Sequence, residues 1–211
     1  QAETSCLDSL IENRRLDGLL VGGPLFAEDV ERLKRQKLAF VLLDGDYHGA
    51  AHVHTVLPDD AVAVRRMVAA ALDAGRRRCG FLLGPPGDER GLLVRRAQRL
   101  RAGFLDEAAR LGLVVDQRRL CWCEYEDSVA YAVATELLQQ SDPPDALLVN
   151  GEVHARAAEA AARALGRRIP EDLLLVNYAE SFDSPHAVVV KPLVEMGQVA
   201  VDILWKLMRG E

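Results

Sequence analysis

Ile169-Pro170-Glu171-Asp172-Leu173-Leu174-Leu175-Val176-Asn177-Tyr178-Ala179-Glu180 is the stretch on which the reading of this chain turns. Gly166 stops the helix before it, Ile169 to Asp172 make a tight turn, and a continuous apolar run follows. A run of that kind is a strand buried on both faces, as in a parallel sheet covered by helices. In an open parallel sheet, ligands bind beyond the C-terminal strand ends, where the strand order reverses. Tyr178 to Glu180 are therefore expected to line a cleft.

The same unit recurs on either side. Ala146 to Val149 form an apolar run before an Ala-rich helix over 152–165, with Asn150 at the junction as helix cap or ligand contact. Earlier, Leu120 to Cys123 read as a strand that leads through Glu124-Tyr125-Glu126-Asp127 into a helix over 128–139. Cys79 to Leu83 precede a helix over 92–111 with the stripe Ala97, Leu100, Phe104, Ala108 and Leu111. Its arginines, Arg95, Arg96, Arg99 and Arg101, could reach an anion, but such a cluster is more often a solvated face. Asp59 and Asp60 cap a helix that Gly75 closes. Near the start, residues 4–15 carry helical spacing, Leu19 to Val21 and Ala39 to Leu43 read as strands, and 27–37 as a helix. Ala187 to Val190 are a last strand, and Pro192 opens an amphipathic helix with Met196, Ala200 and Leu204 on one face. Alternation of this kind is the signature of an α/β fold.

Bulk properties narrow the function. The 211 residues are 49% hydrophobic and 27% charged, an ordinary globular composition. A net charge of −6 argues against gripping a phosphate backbone. No run has the length of a membrane span and no signal peptide is visible, although the chain starts at Gln1 without Met. Cys6, Cys79, Cys121 and Cys123 lack zinc-site spacing and read as reduced structural thiols of a cytoplasmic protein.

Three local patterns invite chemistry. His48, His52 and His54 lie near Asp44 and Asp46, donors that suit zinc or nickel, but residues 45–57 read as a solvated loop and no metal is expected. Gly84-Pro85-Pro86-Gly87 lacks the Gly-Lys-Ser/Thr ending of a P-loop, and its prolines remove N–H donors. Asp44 and Asp46 read as solvated loop carboxylates rather than an acid–base pair. There is no Gly-x-Ser-x-Gly elbow, and no strand end sets Ser or Cys beside His. The strand ends instead offer Gly22, Gly23, Pro24, Asp44, Asp46, Gly84, Tyr125, Asn150, Ala179 and Glu180, which suits binding of a polar small molecule without turnover. An α/β enzyme is the disfavoured reading, and no cofactor is expected.

Several segments resemble the effector-binding domain of the LacI/GalR family of bacterial transcriptional regulators. They are Leu16-Asp17-Gly18-Leu19-Leu20-Val21, Gly75 to Pro85, Arg101-Ala102-Gly103-Phe104, Ala146 to Asn150, Ile169-Pro170-Glu171-Asp172, and Lys191 to Gly197. Their order and spacing cover essentially the whole chain.

The resemblance implies a periplasmic-binding-protein-like fold of two lobes with parallel sheets flanked by helices. Residues 1–58 and 192–211 would form an N-terminal lobe and residues 59–191 a C-terminal lobe, with both ends truncated. The helix-turn-helix of the family is not in this sequence, so operator DNA would be reached only through that domain. The resemblance further implies a cytoplasmic homodimer, for which helix 152–165 and the loop at Ser181–Pro185 are candidate interface elements. A periplasmic solute-binding protein of a transport system is the alternative.

Carried over residue by residue, Asp44, Asp59, Tyr125 and Asn150 match ligand-site positions, Tyr125 being the aromatic one. Where the family places a ligand-gripping Arg this chain has Leu100. Gly151 replaces an Asp, Ala179 replaces another, and Glu180 follows it. The usual Leu-Thr-Thr before the last strand is Ala187-Val188-Val189. Losing an Arg and two acids removes charge-assisted hydrogen bonds of about 1.5–3 kcal/mol each. The expectation is a less polar or differently polar effector than a standard sugar, or lost ligand control.

Overall fold

The computed structural model describes residues 16–23, 25–45, 47, 52–85 and 94–211. The chain divides into two compact units, Gln1–Pro58 with Pro192–Glu211, and Asp59–Lys191.

In the smaller unit, β1 (Gly18–Gly22), β2 (Ala39–Leu43) and β3 (Thr55–Val56) form a parallel sheet in that order. Helix α1 (Ala27–Arg35) buries Val30 and Leu33 against Phe40 and Leu42. On Val41 and Val56 lies the last helix of the chain, spanning Leu193–Arg209, through Met196 and Ala200. The two clusters take alternate residues of β2, the period-2 consequence of a pleated strand buried on both faces. The segment read as a loop over 45–57 holds a strand. Thr55 and Val56 pair with Leu42 and Leu43, a ladder too short to leave an apolar run. The helix expected over 4–15, with Cys6, lies outside the described residues, as do Asp46 and His48.

The larger unit begins with α2 (Asp60–Asp73) and continues through β4 (Cys79–Gly84), α3 (Val94–Arg110) and β5 (Leu120–Trp122). Then come α4 (Asp127–Leu138), β6 (Ala146–Asn150), α5 (Glu152–Ala164), β7 (Leu174–Ala179) and β8 (Ala187–Val190), and the helix over Leu193–Arg209 is α6. The five strands run parallel in the order β5-β4-β6-β7-β8. Each central strand feeds both faces. Phe81, Leu83, Leu148, Val176 and Tyr178 pack under α2 and α3 with Val64, Met67, Leu100 and Phe104. Leu82, Leu147, Val149 and Leu175 pack under α4 and α5, whose face to the sheet is mostly alanine. Small side chains let those two helices lie close to the strands and to each other.

The turn at Ile169–Asp172 is fixed by charge. Asp172 accepts the Arg168 backbone N–H at 2.8 Å and its guanidinium at 2.8 Å. The Arg168 hydrogen bond holds the Asp172 carboxyl far below the usual carboxylate range. From the end of α2, Arg76 donates to the carbonyls of Pro170 (2.7 Å) and Glu171 (2.8 Å), which sets where β7 enters the sheet.

Between β4 and β6 the order reverses, because the chain leaves β4 toward β5 on one side and returns to β6 on the other. That crevice, outside the C-terminal strand ends, is where a doubly wound sheet offers a ligand site. No helix among the described residues is long and apolar enough to cross a membrane.

Candidate functional site

The C-terminal ends of β6, β7 and β8, with the first turns of α3 and α5, border a cavity of about 580 Å³ in the larger unit. Its chemistry starts from Asn150, the last residue of β6, which is buried. The Asn150 amide donates to the Leu83 carbonyl at 3.2 Å and to the Tyr125 hydroxyl oxygen at 2.6 Å. It ties the ends of β4 and β6 to the loop after β5, and it does not cap α5.

That cap position belongs to Gly151, at φ 96, a backbone region that favours glycine. The Gly151 N–H donates to Asn177 Oδ1 at 3.1 Å, and Asn177 Nδ2 donates to Glu152 Oε1 at 2.9 Å. A fully buried amide on β7 thus serves the N-terminus of α5 from outside the helix.

Tyr125 is 43% exposed, with its ring stacked on His154, centroids 4.8 Å apart and planes 15° from parallel. His154 is fully buried on α5, and its Nε2–H donates to the Glu124 carbonyl at 3.1 Å. Burial pushes this imidazole below its ordinary value. Nothing among the described residues bonds Nδ1, so a second N–H there would be orphaned as well.

The sign of the pH effect follows. The unfolded imidazole takes up a proton near pH 6.5 while the folded one resists it, so the unfolded state binds more protons below that pH. The contribution of His154 is complete above about pH 6.5 and falls by up to about 1.4 kcal/mol per pH unit below it. Denaturant melts from pH 7.5 to 5 are expected to show that fall, and His154→Phe, which keeps a ring beside Tyr125, to flatten it. Equal slopes in both proteins would contradict the assignment.

Charge enters from two places read otherwise in the sequence. Arg96, in the first turns of α3, lies over Tyr178 with its guanidinium carbon 5.5 Å from the ring centroid. It reaches Asp60 Oδ1 at 3.5 Å, while Arg99 holds Asp60 Oδ2 at 2.9 Å, so a buried carboxylate at the start of α2 anchors both. Lys191, directly after β8, is only 9% exposed; its ammonium is 5.8 Å from the same ring and 3.3 Å from Glu180 Oε1. Glu152 and Ser181 complete the polar lining.

Of the expected site residues, Tyr125, Asn150 and Glu180 share this cavity. Leu100 does not: it is fully buried against Val64, Met67 and Phe104, with no path for a ligand to its side chain. Ala179 is buried within β7, its carbonyl accepting the Lys191 N–H at 2.9 Å. Asp59 caps α2, its carboxylate accepting from the Val62 N–H at 2.9 Å. Asp44 is half-buried at the end of β2 in the smaller unit, at φ 50, with its N–H donating to the Val56 carbonyl at 3.0 Å.

Cations line the cavity at positions other than Leu100: one turn before it stands Arg96, and Lys191 adds a second. The solvated-face reading of Arg96 fails for the same reason. Position on the helix was the available signal, since in a βα unit the helix N-terminus lies at the C-terminal strand end.

His52 and His54 meet edge to face, 4.8 Å between centroids. Among the described residues no group of three His, Cys, Asp or Glu comes together to hold a metal ion. Burial pushes the thiols of Cys79, Cys121 and Cys123 up to about 11, so at neutral pH none is a thiolate nucleophile.

A parallel sheet with a polar cavity outside its strand ends is an arrangement that several α/β families share. The family profile described as "Periplasmic binding protein-like domain" matches residues 68–211, and the chain belongs to that family. The HTH-type transcriptional repressor CytR of Escherichia coli (strain K12) is 24% identical over 216 residues, covering 100% of this chain and 61% of that protein. The HTH-type transcriptional regulator MalR of Streptomyces coelicolor is 29% identical over 219 residues, covering 97% of this chain and 61% of the relative. The chain thus spans about three-fifths of the length of these curated relatives. A crystal structure of transcription regulator CcpA of Lactococcus lactis shares the fold, with a TM-score of 0.81 at 21% identity over 99% of this chain and 76% of that one. Both curated relatives are HTH-type transcriptional regulators.

Proposed function

We propose that this chain is the effector-sensing and dimerisation domain of a DNA-binding transcriptional regulator of repressor type. The observation that carries the reading is the cavity at the β4/β6 switch point. There Asn150 and Tyr125 are locked to each other and to the neighbouring strand, and charged groups of both signs face one space. A preorganised polar pocket on rigid strand ends suits recognition. The likeness to CytR and MalR over nearly the whole chain turns recognition toward regulation.

In this reading a small molecule other than a standard neutral sugar binds the larger unit and changes operator affinity, which resides in a helix-turn-helix outside this sequence. The regulator works in the cytoplasm as a homodimer, with α5 and the loop at Ser181–Pro185 at the interface. Phe182, 79% exposed in that loop, supports this placement.

The test is a thermal-shift screen of the full-length protein across sugars, nucleosides and small acids, followed by calorimetry on the hits. Asn150→Ala removes both amide bonds and is expected to weaken binding of a hit by about tenfold or more. A hit whose affinity is unchanged in Asn150→Ala would place the effector site elsewhere.

A further inference from the structure

We propose that His154 is a positioning residue of this cavity: its buried ring is the platform that sets the plane of the Tyr125 ring and the face it offers to a ligand. The proposal rests on the reading of the cavity as the effector site and names the side chain that shapes it.

Tyr125 stands in the loop between β5 and α4, past the ladder residue Trp122. A side chain on such a loop is oriented by what it touches. Its hydroxyl oxygen accepts the Asn150 amide at 2.6 Å, and a Cβ at Gly84, which has φ 120, would fall 3.1 Å from the same oxygen. The hydroxyl end of the ring is therefore seated against the exits of β4 and β6, and the main chain holds the other end. What remains is rotation about the line between them, the second side-chain torsion, which is broad for tyrosine. A surface laid against the ring face sets that angle. His154 supplies one, with centroids 4.8 Å apart and planes 15° from parallel, a near-parallel stack of the kind aromatic pairs favour.

The platform itself is fixed. His154 is fully buried in the first turn of α5, and its Nε2–H donates at 3.1 Å to the carbonyl of Glu124, the residue before Tyr125. One side chain thus grips the loop twice, by its main chain and by its ring. Packing alone does not call for a histidine here, since an apolar ring would fill the space without the cost of burying an imidazole. The pair of contacts does, because it needs a flat face and a donor on the same small ring. With one face of Tyr125 against His154, and the ring 43% exposed at the cavity, the opposite face is the one a ligand in the cavity meets. A ligand that stacks there meets a ring already oriented, so less side-chain freedom is lost on binding.

Nuclear magnetic resonance on the full chain with isotope-labelled tyrosine rings tests this, the Tyr125 signal being the one that Tyr125→Phe removes. In the wild type its ring protons are expected upfield of an unstructured tyrosine, with direct cross-relaxation to the His154 ring. His154→Leu, which fills the space without a flat face, is expected to remove the upfield displacement, and His154→Phe to keep it. The cross-relaxation needs no substitution, so its absence in the wild type overturns the proposal even if His154→Leu does not fold. Phenol, titrated as a flat probe and followed on the same signal, is expected to bind the wild type saturably. Its affinity is expected to fall about two- to tenfold in His154→Leu, the equilibrium weight of an aromatic pair, and to stay within about twofold in His154→Phe. No saturable response in the wild type, or equal affinity in the wild type and His154→Leu, would overturn the proposal. A screen hit that needs Asn150 and ignores His154→Leu would do so too, leaving the sensor reading intact. Stacked rings as described, with no hit that needs Asn150, would instead sink the sensor reading and leave the platform standing.

Discussion

Leu100→Arg is expected to destabilise the larger unit by about 3–5 kcal/mol, enough to remove most of the stability of an ordinary domain. The LacI/GalR resemblance makes arginine at this position look natural, and the packing says otherwise. Leu100 is fully buried among Val64, Met67, Ala97 and Phe104, under the sheet residues Phe81 and Leu83. A guanidinium there loses its water without gaining a carboxylate, since the buried acid nearby, Asp60, already holds Arg96 and Arg99. Leu100→Met, which conserves volume, is the control and is expected to cost less than about 1.5 kcal/mol. Urea melts of the two variants read the difference. Comparable stability of Leu100→Arg and wild type would mean that α3 turns a different face to the sheet.

Gly45→Ala is expected to cost about 3–5 kcal/mol in the smaller unit. A Cβ at Gly45 would fall 1.8 Å from the carbonyl oxygen of Gly23 and 2.3 Å from its carbonyl carbon. Both are backbone atoms, so no side chain can swing aside to make room. The contact arises because the chain leaving β2 at Gly45 passes directly against the backbone leaving β1 at Gly23. Gly23, at φ 89, donates its N–H to the Leu43 carbonyl at 3.2 Å, and Asp44 at φ 50 turns the chain directly before Gly45. Adding one methyl group must therefore part the strand ends. Hydrogen exchange should show the loss locally: amides such as Leu42 and Asp44, which donate to His54 and Val56, lose protection, while those of β4, β6 and β7 keep it. Unchanged exchange at Leu42 and Asp44 would contradict that close passage.

How far the sequence carried is itself explained by this packing. Strands β2, β4, β6 and β7 were legible because they are largely buried and so read as apolar runs, and the less buried β1, β5 and β8 were legible as shorter runs. Strand β3 was not, because Thr55 and Val56 pair over two residues only and sit among histidines and prolines. The turn at Ile169–Asp172 was legible from its residues, although the Arg76 contacts that seat it come from 94 and 95 positions away in the chain.

The site was legible in part. Asn150 and Tyr125 stand at strand ends and could be named, but their bond to each other depends on how β5 sits beside β4. Asn177 reads as a strand residue, yet its amide supplies the N-terminus of α5. Arg96 hid in a basic cluster because composition does not give helix rotation or height. It lies four positions before Leu100, so both sit near one face of α3, but only Arg96 borders the cavity while Leu100 packs in the core. Lys191 hid at a strand-to-helix junction, where a lysine carries no pattern. The tip of β7 combines packing with charge. Ala179 is a packed residue whose carbonyl holds Lys191, and Glu180 partners the cation that the cavity offers.

The central claim is that this pocket senses a small molecule on behalf of a DNA-binding domain. Its most direct test is operator binding by the full-length protein with and without a ligand found in the screen, for wild type and Asn150→Ala. The account predicts a ligand-dependent change of at least about tenfold in operator affinity for the wild type, and little or none for the variant, while both proteins bind operator equally in the absence of ligand. A ligand response of the same size in both proteins would contradict it.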